Sequence, residues 1–60
     1  MQLKKYLEKE GLSAAEFAKQ LGLTRQSIYH YINQERFPAH SVLKKIMVKT
    51  GGKVTANDFL

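Results

Sequence analysis

The 60-residue chain has no cysteine, a single proline and only five acidic residues against ten lysines and arginines. Without cysteine, neither a disulfide nor a thiolate zinc site can brace the fold, and the redox compartment is left open. No apolar run approaches the ~20 residues of a membrane span, and the opening MQLKKYLEKEG lacks the apolar centre of a secretory signal, so a soluble, intracellular protein is expected. The chain is too short for a second domain. Folding at this size removes only about 60% of the unfolded surface from water, so stability must come from one small apolar core, aided by self-association or ligand binding. The two histidines, His30 and His40, have no third ligand or nucleophile spaced to join them. No catalytic residue, metal site, cofactor or effector pocket is therefore expected.

The formal net charge of +5 points to a polyanionic partner, although excess charge also keeps small domains soluble. Its placement has to decide between the two. Residues 2–10 read as a first helix with Leu3, Tyr6 and Leu7 on one face and Lys4, Lys5, Glu8 and Lys9 on the other, ended by Gly11. Ser13 and Glu16 form an S-x-x-E capping box that opens a second helix over residues 14–21, with Leu12 packing back just before it. Phe17, Ala18 and Leu21 give that helix one buried face, and the small Ala18 permits close approach of a neighbour. Gly22 then turns the chain and Thr24 caps a third helix running to residue 33 or 34.

On that third helix Ile28, Tyr31 and Ile32 fall on an inner face, whereas Gln26, Tyr29, His30 and Asn33 fall on the outer one with Arg25 at its flank. A merely solvated helix would more often carry Lys and Glu at i,i+4 spacing, so this face looks built to read hydrogen-bonding edges. Residues 34–39 form a loop in which Pro38 holds Phe37 extended and the Phe37 ring is expected to fold into the core. A fourth amphipathic helix carries Ala39, Val42, Leu43, Ile46, Met47 and Thr50 inward and Lys44, Lys45 and Lys49 outward, and ends at Gly51-Gly52. It starts either with Pro38 as first helical residue or with Ser41 as cap. In the tail, a T-x-x-D cap formed by Thr55 and Asp58 favours a last helical turn over a strand at residues 53–55. Phe59 and Leu60 form a dimer contact or close the base of the core. The expected core comprises Leu3, Leu7, Leu12, Phe17, Ala18, Leu21, Leu23, Ile28, Ile32, Phe37, Val42, Leu43, Ile46 and Met47.

Phe17, Ala18, Gly22, Leu23 and Ile28 together resemble the helix-turn-helix pattern of phage Cro and repressor proteins: a small residue, four steps to Gly, then six to a branched apolar residue. The motif covers residues 14–33. The flanking amphipathic helices, the E-R-F-P loop and the ending T-G-G-K-V-T-A-N-D-F-L are similar to those of small Cro-like and YdaS-type phage or prophage regulators. The resemblance implies an all-α, compact bundle of four to five helices like the DNA-binding domain of lambda repressor, occupying residues 1–60 as one domain. It also implies a sequence-specific transcriptional repressor of double-stranded DNA, with the third helix in the major groove and no membrane involvement.

Carried over by position, the resemblance places Arg25, Gln26, Tyr29 and His30 nearest the bases, with Thr24, Ser27 and Asn33 at the edges of the contact. Phosphates would be met at Ser13, Ala14, Lys19, Arg36, His40 and Ser41. Many relatives open the motif with a Gln that touches phosphate and braces a neighbouring Gln; here Ala14 stands in its place and leaves Gln26 unbraced. Tyr31 occupies a usually aliphatic position, and its hydroxyl needs a partner or solvent. One such module buries too little surface for regulatory affinity, so two copies on a pseudo-palindromic operator are expected, as a weak homodimer or a dimer formed on DNA. The setting would be the cytoplasm of a bacterial host. A YdaS-type antitoxin-like regulator, or a small helical adaptor for an acidic protein, are the other readings.

Overall fold

The same hydrogen-bonded device closes every α-helix of this protein. In the computed structural model, which describes residues 1–60, the chain forms α1 (Leu3–Glu10), α2 (Ala14–Leu21), α3 (Arg25–Ile32) and α4 (His40–Lys49), followed by a terminal 3₁₀ helix at Ala56–Phe59. Past each α-helix one residue takes the left-handed conformation, and the next amide reaches five residues back. Leu12 N–H donates to the Leu7 carbonyl at 2.9 Å, Leu23 to Ala18 at 2.8 Å, Glu35 to His30 at 2.8 Å and Gly52 to Met47 at 2.8 Å. These are Schellman closures, which satisfy carbonyls that a helix end would otherwise leave bare. The left-handed residue is Gly11, Gly22 and Gly51 in three of them; after α3 it is Gln34, at φ 60°.

The starts are as local as the stops. Ser13 Oγ accepts from the Glu16 amide at 3.1 Å and the Glu16 carboxylate accepts from the Ser13 amide at 3.2 Å, so the expected capping box is complete. Thr24 caps α3 through the Ser27 amide. Helix α4 departs from both expected starts: Ala39 is its N-cap and offers no side-chain bond, while Pro38 lies in the preceding loop and Ser41 inside the helix. The first helical bond runs from the Leu43 amide to the Ala39 carbonyl at 2.8 Å, so the helix opens after Ala39, with Pro38 buried in the extended segment ahead of it.

The core gathers around Phe17, Ile28, Ile46 and Val54, all fully buried, with Leu3, Tyr6 and Leu7 from α1 and Ala14, Ala18 and Leu21 from α2. Each large side chain removed from water contributes about 1.5–3 kcal/mol. Ala18 is only 1% exposed, and α2 and α3 are the most closely packed pair of elements. A larger side chain there would separate the two helices. Leu12, Leu23, Ile32, Val42 and Leu43 pack around this centre half-buried.

Two expectations about the core fail. Phe37 is 53% exposed, because Pro38 takes the inward position and Phe37 is left lying edge-on to Phe59 at 6.3 Å between ring centres. Met47 is 37% exposed, since Ile46 alone fills the centre of the α4 contact. Phe59 is buried, packed between Tyr31 and Phe37, in keeping with the second of its two expected roles, closing the base of the core; Leu60 beside it is 82% exposed. Tyr31 is half-buried, packs on Phe59 at 6.4 Å and has no buried, unpartnered hydroxyl.

Val54 was not among the expected core residues; Thr50, expected on the inner side of α4, is buried, whereas Ala39, expected there too, is exposed because it is the N-cap ahead of the first helical turn. Thr50 Oγ1 accepts from the Val54 amide at 3.2 Å and lies within reach of the Met47 carbonyl, so the chain after Gly51-Gly52 is folded back and Val54 is driven inward. The helical turn at Thr55 and Asp58 forms as expected, and the strand does not: the Thr55 amide donates to Asp58 at 2.8 Å. The terminal ammonium of Met1 donates to the Lys53 carbonyl at 2.8 Å and pairs with Asp58 at 3.2 Å. The Thr55 amide, the ammonium and the Thr55 hydroxyl hold the Asp58 carboxyl below its ordinary pKa, against a smaller opposing effect of burial. That stabilisation is present above the unfolded carboxyl pKa and is lost as pH falls through the lowered one.

Gln34 is the only non-glycine residue with positive φ. Left-handed backbone costs an L-residue roughly 1–2 kcal/mol, part of which returns as lost chain entropy when glycine replaces it. Gln34→Gly should therefore stabilise the protein by about 1 kcal/mol and raise the melting temperature by roughly 4–8 °C in a calorimetric scan. An unchanged or lowered midpoint would show that the Gln34 side chain compensates for its backbone.

Candidate nucleic-acid interface

Two helix starts and one helix face make up the candidate surface. Gly22, at φ 71°, and the Leu23 amide bonded to Ala18 set the angle between α2 and α3 within three residues. Ile28 anchors the inner side of α3 in the core, which forces the opposite side outward. Arg25, Gln26 and Asn33 are exposed, and Tyr29 is 47% exposed. His30, unlike these, is half-buried, which puts it at the margin of the face.

Arg25, Tyr29 and Asn33 recur at every fourth position, with Gln26 one step beside Arg25, and form one outward stripe. The helix is eight residues long, about 12 Å, and the major groove of B-DNA is about 12 Å wide. Chemically, the stripe offers the fork of an arginine guanidinium, a side-chain amide that both donates and accepts, and a phenol on a short rigid support. These suit the acceptors and donors at base edges. Thr24 and Ser27 contribute less than their positions suggest. Their hydroxyls lie 2.9 Å apart and Thr24 Oγ1 also accepts the Ser27 amide, so one of the two O–H donors is spent inside the cap.

The expected phosphate contacts divide. Lys19, Arg36, His40 and Ser41 are exposed, on α2, on the loop after α3 and at the start of α4. Ser13 is exposed, but Ala14 is 8% exposed and can offer only its backbone amide. First-turn amides have no intrahelical partner and favour anions. The Glu16 carboxylate, held in the capping box at the same helix start, opposes that preference. Ala15 is exposed in the same turn and is brought beside these residues, although only its burial pattern, not its chemistry, marks it.

No cluster of metal-ligating side chains is present, and no helix is long and apolar enough to cross a membrane. A family model described as helix-turn-helix matches residues 3–55. That stretch takes in all four α-helices and stops just before the terminal 3₁₀ turn. No curated protein and no solved structure matches the chain.

The Thr24 cap positions the face by fixing where α3 begins. Thr24→Ala should cost about 1 kcal/mol of stability, and Thr24→Ser should restore most of it, both read from urea unfolding midpoints. Equal stability of the alanine variant would show that the Gly22 turn alone sets the start of α3.

Proposed function

The chain belongs to the Cro/repressor-type helix-turn-helix family, whose members are DNA-binding regulators and not enzymes, and from that we propose a sequence-specific repressor of the phage or prophage Cro-like kind. Double-stranded DNA is the partner of this family. The observation that carries the finer reading is the α3 stripe: Arg25, Gln26, Tyr29 and Asn33 stay exposed on a helix whose other side is pinned by Ile28. A solvated face has no need of that set. With α3 in the major groove, Arg25 pairs with the two acceptors of guanine, Gln26 pairs with adenine, and Tyr29 and His30 meet a thymine methyl or an acceptor. Lys19, Arg36, His40, Ser41 and the amides beginning α2 hold phosphates on either side and set the register.

A single module of this size buries roughly 600–1,000 Å² on DNA, too little for regulatory affinity. Two copies on a pseudo-palindromic site, with half-sites about one helical turn apart, supply the rest. Leu60 at 82% exposure and Phe37 at 53% border the Phe59 cluster and replace Phe59 as the apolar material for a weak contact between copies. Repression follows from occupying a promoter and excluding polymerase, in the cytoplasm of a bacterial host.

Selection of random duplexes at about physiological salt tests the reading, because non-specific binding there is only about 10⁻⁴–10⁻⁶ M. An enriched inverted repeat is expected. Unenriched sequence from a folded protein would leave a non-specific DNA binder or an adaptor. On the selected duplex, Arg25→Ala should cost about 1–3 kcal/mol and relax preference at one base pair. Lys19→Ala should weaken all duplexes alike and reduce the salt slope by about one. Titrations at several salt concentrations separate the two behaviours, and a sequence-selective loss for Lys19→Ala would contradict the docking.

A further inference from the structure

The outward side of α4 is not used by the DNA-reading surface beyond its first turn. Ser41, Lys44, Lys45, Val48 and Lys49 recur at i, i+3, i+4, i+7 and i+8, the spacing with which a helix presents one continuous stripe. Together with Lys19 and the C-terminal end of α2 they line a groove of about 890 Å³. Its apolar patch is Leu21 and Val48, and Val48 is 74% exposed. A second, smaller depression continues from Val48 across Met47 and Leu43.

The charges around this groove are unbalanced. No acidic residue occurs between Arg36 and Asn57, and the one ion pair in the molecule, Met1 with Asp58, lies elsewhere. Lys45 and Lys49 stand at i,i+4, where like charges destabilise a helix. An exposed valine between unpaired lysines gives the free protein nothing. Both features are relieved by one kind of ligand, which brings carboxylates to the lysines and an apolar side chain to Val48.

We infer that the α2–α4 groove docks an acidic amphipathic helix of a partner protein. Charge complementarity supplies the approach and orientation, and the Val48 patch supplies the anchor. The stripe from Ser41 to Lys49 spans about 12 Å, two helical turns, which suits anchors at i, i+3 or i+4, and i+7 on the incoming helix. A phosphate backbone would meet the lysines but leave Val48 and Met47 uncovered. The groove also lies at the C-terminal end of α2, some 10 Å along that helix from the Ser13 start that faces DNA in the proposed docking. Lys19 and Ser41 border both surfaces, so the test leaves both unchanged.

The test is a titration of the isotopically labelled protein, followed by amide resonances. The probes are a synthetic helix of about four turns with leucines on one stripe and glutamates elsewhere, a scrambled peptide of the same composition, and a random-sequence duplex. The amphipathic peptide should shift the Leu21, Val48 and Lys49 amides saturably, at millimolar Kd or tighter, and the scrambled peptide should bind at least tenfold more weakly. Val48→Glu and the double variant Lys45→Gln/Lys49→Gln should each weaken the peptide at least tenfold while keeping the unmodified protein's melting temperature and its base preference on a selected duplex. Equal shifts with the scrambled peptide would reduce the groove to counterion attraction. Shifts of these amides by the duplex alone would make it a phosphate site, and absence of shifts with either peptide would remove the docking site altogether. Because α4 variants spare the α3 face, each of these outcomes leaves the DNA-binding reading standing or falling on its own evidence.

Discussion

The angle between α2 and α3 is the constraint on which the surface depends, and one hydrogen bond with one backbone conformation sets it. The Leu23 amide reaches back to Ala18 while Gly22 takes positive φ, so the chain reverses inside three residues. Ala18 sits at that crossing, almost wholly buried, and its single methyl lets the helices approach. Once α2 is held, Ile28 has only the core to enter, and the polar side of α3 has only solvent or a partner to face. The exposed stripe is thus a consequence of packing geometry. Its chemistry is what the sequence adds.

Much of the remaining structure keeps that pair of helices in place with a very small core. Helix α1 lays Leu3, Tyr6 and Leu7 across the bundle, and Tyr6 packs edge-on against Phe17 at 6.2 Å. From the other end, Ile46 of α4 and the folded-back Val54 complete the centre. The Met1 ammonium, the Lys53 carbonyl and Asp58 then tie the first residue to the terminal 3₁₀ turn. At 60 residues such a fold has little surplus stability, so helix ends that satisfy their own backbone groups matter as much as apolar contacts.

The distribution of charge divides the molecule into surfaces with different chemistry. Around α3 the polar groups are mixed donors and acceptors with planar, directional hydrogen-bonding ends, suited to geometry-dependent recognition. Around α4 they are flexible lysines beside exposed aliphatic side chains, suited to a partner that brings its own charge and apolar anchors. Net charge by itself does not separate these. The same excess of positive charge fits DNA attraction, solubility or an acidic protein, and only its placement on two different faces distinguishes them.

What the sequence determined by itself was everything that depends on neighbours within a turn or two. Ser13 with Glu16, Thr24 before α3, Thr55 with Asp58, and glycine after α1, α2 and α4 mark helix limits through bonds spanning three to five residues, so they are legible in the string. The inward and outward sides of α3 were equally legible, because helical periodicity is local. What only the tertiary structure decided was competition for interior space. Pro38 excludes Phe37 from the core, Ile46 leaves Met47 at the surface, Val54 is drawn in by a bond to Thr50, and Phe59 is enclosed while Leu60 is not. Those outcomes turn on which side chain reaches a shared volume first in three dimensions, and on long-range backbone placement that no local pattern encodes. The groove between α2 and α4 belongs to the same class: its lysines are plain in the sequence, but their meeting across two helices is a property of the fold.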